Sequence, residues 1–420
     1  METLIKGKIS RAFFHIKTLL KWLLISVGIG LLVGAISILF GYLLIYANTF
    51  REQHSWVILT LPVGGLVIVF LYRFFKNKKD TGTNMVIASI HSSKDIPFKM
   101  APLIFITTII THLCGGSSGR EGAAIQLGGS IANQVGKVIK LNENDRHIIV
   151  MCGMSAGFSA LFGTPMAAAI FSLEVISIGI MHYSALVPCV TAAMIAHFLA
   201  QFCRVPAEIF PVTDIPPMDP YIFFQIVVFA AVVAGVSILF CIMLHTSEHL
   251  YKKFFKNSYI RIFAAGCFIV LLTIIFQTDD YLGPGMSMIE NVFHTGEAAY
   301  YSFFLKMLFT AVTLGAGFKG GEIVPSFCIG ATFGCAVASL MGMPTGIVAA
   351  CGMVGVFCGV TNCPITSLLI SFELFGFEGM PYYLVTVAVS YMLSGYYGLY
   401  RAQKIMYSKT ETNFVNRVAK

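Results

Sequence analysis

CGMSAGFSALFGTPMAAAIFSLEV, residues 152–175, returns in altered form as CGMVGVFCGVTNCPITSLLISFEL, residues 351–374. The stretches align without a gap, 351 against 152, with Cys, Gly, Met, Phe, Pro, Ser and Glu recurring in register. A second pair precedes them: GREGAAIQLG (119–128) and GEIVPSFCIG (321–330) each carry glycine, eight residues and glycine. The chain therefore reads as two halves of one design.

Both halves are strongly apolar. Hydrophobic residues make up 57% of the 420 and charged residues only 11%, with mean hydropathy +0.80, far from the roughly 25% charged residues of a soluble domain. Uncharged runs recur over 22–50, 53–72, 101–119, 148–173, 175–203, 221–244 and 323–372, most of them near the ~20 residues that span a hydrocarbon core. The fold class is an all-α polytopic membrane protein. Internal symmetry in such proteins places a central site where two related bundles meet, built from discontinuous helices. Short broken pieces in each half, 115–136 and 315–342, favour an inverted repeat.

Basic residues cluster at Lys6, Lys8, Arg11, Lys17 and Lys21 and again over 73–79. Positive-inside logic puts both clusters in the cytoplasm. The reading is a basic N-terminus (1–21), a first membrane repeat (22–205), a second (206–400) and a short cytoplasmic tail (401–420). The first apolar segment is too long for a signal peptide and has no small-residue cleavage pattern, so it is retained. The net charge of +8 reflects the cytoplasmic flanks, which argues against a nucleic-acid partner. Cysteines such as Cys114, Cys152, Cys328, Cys335, Cys351 and Cys358 sit in apolar runs and behave as small hydrophobes. No CxxC or HExxH spacing points to a metal, no cofactor is expected, and no cluster of nucleophile and base suggests an enzyme.

GGSSGREG (115–122) and GAGFKGGE (315–322) put small residues before an apolar helix. A helix start leaves N–H groups unpaired and carries partial positive charge, so two such starts in a bilayer make an anion site without a fixed cationic side chain. Nucleotide binding fails here because neither stretch completes GxxxxGK[ST].

GREG, the TNM stretch at 83–85, GGEIVP in the second half and GLY at 398–400, in that order, resemble the CLC family of anion channels and anion/proton antiporters. The resemblance covers nearly the whole membrane portion. It implies an inverted repeat with broken, reentrant helices, a homodimer with one pathway per subunit, and no CBS domains after so short a tail. It also implies an anion held by backbone amides, by an early GSGIP motif and by a late tyrosine, with a gating glutamate. Carried over, Thr83 takes the serine position, with Asn84 beside it, and Tyr400 takes the tyrosine position. Glu121 is the gate, Gly119, Arg120 and Gly122 form its helix start, and Ile323 and Val324 give the second amide cluster.

Four departures narrow the expectation. The GREGP proline is Ala123, and GSGIP has become GTNMV. Glu322 stands where chloride members carry an apolar residue, which makes it a second coupling carboxylate. Val175 replaces the inner proton glutamate of chloride/proton antiporters. This combination resembles the fluoride-transporting branch, and implies fluoride export in exchange for protons across the inner membrane of a prokaryote. The alternative is a chloride channel or chloride/proton exchanger.

Simpler roles stand beside these. Glu322 also reads as a structural carboxylate, and Thr83 and Asn84 as a helix N-cap. Glu174 and Glu373, at repeat-equivalent positions, read as braces of helices rather than proton carriers. His112 reads as a satisfied buried histidine.

Overall fold

The computed structural model describes residues 2–76, 82–92 and 95–419, with side chains from residue 12 onward. The side chains of Lys6, Lys8 and Arg11, and residues Lys78 and Lys79, lie outside the described residues. Helices dominate. The first half runs α1 (Glu2–Gln53), α2 (Leu61–Phe74), α3 (Thr83–His91), α4 (Met100–Leu113), α5 (Glu121–Val138), α6 (Glu143–Phe162), α7 (Pro165–Glu174) and α8 (Leu186–Phe202). A linker without regular structure, 203–219, leads to the second half. There α9 (Pro220–Phe254), α10 (Ser258–Phe276), α11 (Met286–Thr295) and α12 (Ser302–Ala316) are followed by α13 (Ile323–Met341), α14 (Thr345–Thr361), α15 (Pro364–Phe375) and α16 (Met380–Leu393). Each helix of the first half has its counterpart eight places later.

Six candidate spans among the described residues are long and apolar enough to cross a membrane, and several apolar helices are shorter. The short ones have a local cause. The apolar run 148–173 is not one helix, because α6 stops at Gly163 in the left-handed region and α7 restarts with Pro165 at its first turn. In the second half Asn362, also left-handed, ends α14 and Pro364 opens α15. A left-handed residue satisfies the end of one helix and proline is tolerated at the start of the next.

The two halves hold each other by exchanged caps. Glu174, at the end of α7, accepts the N–H groups of Ile365 (3.0 Å) and Thr366 (2.8 Å) and the Thr366 hydroxyl (2.6 Å) at the start of α15. Glu373, near the end of α15, accepts the N–H groups of Met166 and Ala167 at the start of α7, both at 2.9 Å. The brace reading of both glutamates is what the structure has. An aromatic seam crosses between the halves as well, with Phe327 stacked on Phe162 (5.4 Å) and against Phe357 (4.9 Å).

Within each half, the helices that carry the glycine-rich starts pack backbone to backbone. A Cβ at Gly128 would lie 2.0 Å from the Gly153 carbonyl oxygen, and one at Gly330 would lie 2.3 Å from that of Gly352. Small residues permit this close approach between membrane helices. Gly128→Ala is therefore expected to cost about 3 kcal/mol by forcing α5 off α6, read as a lower thermal unfolding midpoint in detergent. Gly235→Ala, with nothing within 4 Å of the added Cβ, is the control and should leave the midpoint unchanged or slightly higher. Equal losses at both positions would refute the packing argument.

An all-α reading misses one small element. β1 (Ser177–Ile178) pairs in parallel with β2 (Lys404–Tyr407), which pairs antiparallel with β3 (Phe414–Val418). The tail is thus folded back onto the membrane core. Lys409 donates to Asn362 Oδ1 and to Ser394 Oγ (2.9 Å), and burial pushes its ammonium down to about 8.

Candidate functional site

The starts of α5 and α13 adjoin. Gly119 and Gly321 exchange N–H···O bonds of 2.7 Å in both directions, forming an isolated antiparallel bridge. Equivalent segments running in opposite directions are what an inverted repeat requires. The bridge also uses the Gly119 N–H, so that group faces Gly321. Beyond the bridge there is no room for side chains, since a Cβ at Gly122 would lie 2.9 Å from Gly321 Cα. Glycines here bring the unpaired amides of both helix starts, including those of Gly122, Ile323 and Val324, into one region of partial positive charge.

Glu121 is fully buried and turns back on its own helix start. One carboxylate oxygen accepts the Arg120 N–H at 3.1 Å and the other accepts Arg120 Nε at 3.3 Å. A carboxylate so held takes the place an anion takes at a helix N-terminus. The same guanidinium reaches past Glu121 with Nη2, to Glu208 at 2.5 Å and the Leu161 carbonyl at 3.4 Å. Arg120 thus contributes its backbone to the helix start while its side chain makes an ion-pair cluster.

Glu322 is the N-cap residue of α13 and is partly exposed. Its Oε2 has no hydrogen-bond partner among the described residues, and it lies 3.3 Å from the place a Cβ on Gly122 would occupy. The Tyr400 side chain is fully buried within electrostatic reach of Glu322 and Glu121, and its hydroxyl is likewise unpartnered among the described residues. Thr83 completes the cluster. Its hydroxyl donates to the Gly122 carbonyl (3.4 Å) and accepts from Gln126 Nε2 (3.1 Å).

The N-cap alternative for Thr83 and Asn84 fails. Gly82 caps α3, with φ of +67°, and Thr83 and Asn84 are its first two residues. That left-handed backbone suits glycine. Asn84 Oδ1 accepts the Ala402 N–H at 2.9 Å and so ties α3 to the chain just past Tyr400. Gly398 has its own reason: a Cβ there would meet Asn362 Nδ2 at 2.7 Å. Val175 is buried in the core at the end of α7, so no carboxylate stands there. His112 is buried, with Nε2 3.3 Å from the Gly119 carbonyl and Nδ1 3.5 Å from Asn48 Nδ2.

From this cluster an open vestibule of about 1480 Å³ leads to one end of the bundle. Asn84, Gln126 and Glu322 line it together with Glu248 and the basic residues Arg73, Lys76, Lys252, Arg261, Lys319 and Arg401, of which Lys252 and Arg401 pair with Glu248. An excess of positive charge along a cleft concentrates anions. The opposite end holds the linker with Glu208, which leads into α9, the helix whose far end carries Lys252. In that linker, burial pushes the Glu208 carboxyl up, against the pull of Arg120.

Three parts of this arrangement have no role assigned from the sequence: Gln126, Glu208 and the basic vestibule. Gln126 had a signal, as the single polar side chain within AAIQLG.

Two oppositely directed halves with paired, glycine-rich helix starts around buried carboxylates define the class: a polytopic inverted-repeat membrane protein with a central site suited to anions. The chain belongs to the voltage gated chloride channel family, Voltage_CLC, whose model matches residues 63–395. It is 39% identical over 396 residues to the "Chloride/fluoride channel protein" of Pseudomonas syringae pv. tomato, covering 93% of this chain and 87% of that one. A crystal structure of a CLC-type fluoride/proton antiporter matches with TM-score 0.89 and 34% identity, over 92% of this chain and 98% of that one. A slow cyanobacterial Cl-/H+ antiporter shares the fold, with TM-score 0.77 and 18% identity over 89% and 94% of the two chains. The family reading of GREG, TNM, GGEIVP and GLY is correct.

Proposed function

We propose that this protein is a secondary active transporter, not an enzyme, that exports fluoride in exchange for protons across the inner membrane of a prokaryote. The reading is carried by one observation: two carboxylates, Glu121 and Glu322, stand at adjoining helix starts within electrostatic reach of the Tyr400 hydroxyl, which has no partner among the described residues. The names of the Pseudomonas relative and of the fluoride/proton antiporter support fluoride as the anion.

A carboxylate near the bilayer centre costs about 2.5 to 3.5 kcal/mol on insertion scales, so two of them at one site call for a use. Ionised Glu121 competes with the anion for the amides of Gly122 and its neighbours, and protonated Glu121 yields them. Fluoride then enters as a proton neutralises the gate. Tyr400 and Gln126 supply hydrogen bonds that replace part of the hydration shell of so small an anion, and Thr83 adds one when its hydroxyl turns from the Gly122 carbonyl. With a negative interior, proton influx and fluoride efflux each gain about 2.3 kcal/mol per 100 mV. In this reading residues 22–205 and 206–400 are the two repeats, the basic vestibule faces the cytoplasm, and the protein works as a homodimer in the lipid bilayer.

Liposomes loaded with fluoride or chloride, with internal pH recorded during efflux, test the proposal. Fluoride should leave, chloride should leave at least tenfold more slowly, and protons should enter against fluoride. Chloride moving as fast as fluoride would favour the chloride reading, and fluoride moving without protons would make the protein a channel.

A further inference from the structure

Glu208 belongs to no motif, yet it is tied to the gate through one side chain. Arg120 Nη2 reaches Glu208 at 2.5 Å while its Nε lies 3.3 Å from Glu121. Side-chain exposure falls along this line, 15% at Glu208, 12% at Arg120 and 0% at Glu121. The linker around Glu208 is fixed on both sides. Ala207 packs on Gly163, where an added Cβ would lie 3.2 Å away, and Phe210 donates its N–H to the Leu374 carbonyl (2.9 Å) and stacks on Phe293 (5.1 Å).

We propose that Glu208 is a positioning residue for the gate, holding Arg120 as a shared counterion so that Glu121 gains and loses its proton without stranding a bare guanidinium. This rests on the proton-coupled reading of Glu121 given above. With Glu208 ionised, the three side chains pass between net charges of −1 and 0 as Glu121 takes up a proton. Without it they pass between 0 and +1, and the protonated state leaves an uncompensated buried cation, which is strongly disfavoured. Glu208 thereby makes protonation of Glu121 easier. It also keeps the guanidinium turned from the amides, so that Arg120 does not become a trap for the anion. The other titratable groups facing the cluster are Glu290 on α11, toward Glu208, His112 on α4, toward Arg120, and Tyr400, toward Glu121. The negative charge of Glu290 acts in the same direction as that of Glu208.

The test is coupled fluoride efflux and proton uptake from fluoride-loaded liposomes, measured against external pH. Glu208→Gln should move the half-maximal pH for coupled flux to the acid side by about one unit. Glu208→Asp, whose shorter side chain weakens the pair, should fall between the two. A merely structural role would lower the rate and leave the midpoint in place, so an unmoved midpoint in either variant that reconstitutes overturns the proposal. Wild-type liposomes run in parallel separate the two layers: absent proton uptake there means that the coupled reading itself has failed, and this inference with it.

Discussion

Glu121→Gln is expected to lose proton uptake by on the order of 10²-fold or more, because an amide cannot carry the proton that the gate must exchange. The fold should survive the change. Glutamine is isosteric, and Arg120 retains Glu208 as its partner at 2.5 Å, so no uncompensated buried cation is left behind. The neutral side chain mimics the protonated gate, which does not compete with the anion for the helix start. Fluoride should therefore still cross the membrane, uncoupled and down its own gradient. Simultaneous recording of fluoride release and internal pH distinguishes this from simple inactivation. Retained coupling in the variant would remove Glu121 from the mechanism, however well its position suits that role.

The legible part of this protein was the part where backbone meets backbone. Gly128 and Gly330 recur because a Cβ would collide with the carbonyls of Gly153 and Gly352, and Pro165 and Pro364 recur because each opens a helix after a left-handed break. Glu174 and Glu373 recur because each caps the other half. Symmetry repeats these constraints, so comparing the chain with itself exposes them. Glu208 escaped because the linker 203–219 has no regular structure whose periodicity could be read. The vestibule escaped because its cations come from widely separated segments, from Arg73 to Arg401. The hydrogen bond between Asn84 and Ala402, 318 residues apart, escaped because Ala402 leads into a tail whose strands are only four and five residues long, too short for alternation to register.

Replacement of Glu322 by glutamine should separate binding from turnover. Glu322 differs from Glu121 in its access. Glu121 is sealed behind Arg120 and Glu208, whereas Glu322 lines the vestibule from the opposite end. With Val175 buried where chloride/proton antiporters are expected to carry their inner glutamate, the proposed mechanism gives Glu322 the task of passing protons to the vestibule. A charge about 4 Å from a bound anion opposes it by about 4 kcal/mol at an effective dielectric of about 20, so ionised Glu322 and fluoride exclude each other and protonation admits the anion. In Glu322→Gln that exclusion is gone. Fluoride affinity, measured by titration calorimetry on the purified protein, should rise by about tenfold, while coupled flux in liposomes should fall by at least as much, because release no longer follows from losing a proton. A structural carboxylate predicts the opposite pattern, with flux and affinity both unchanged or unfolding at a lower temperature. Tighter binding joined to slower exchange sets a carboxylate that acts on the anion apart from a merely structural one.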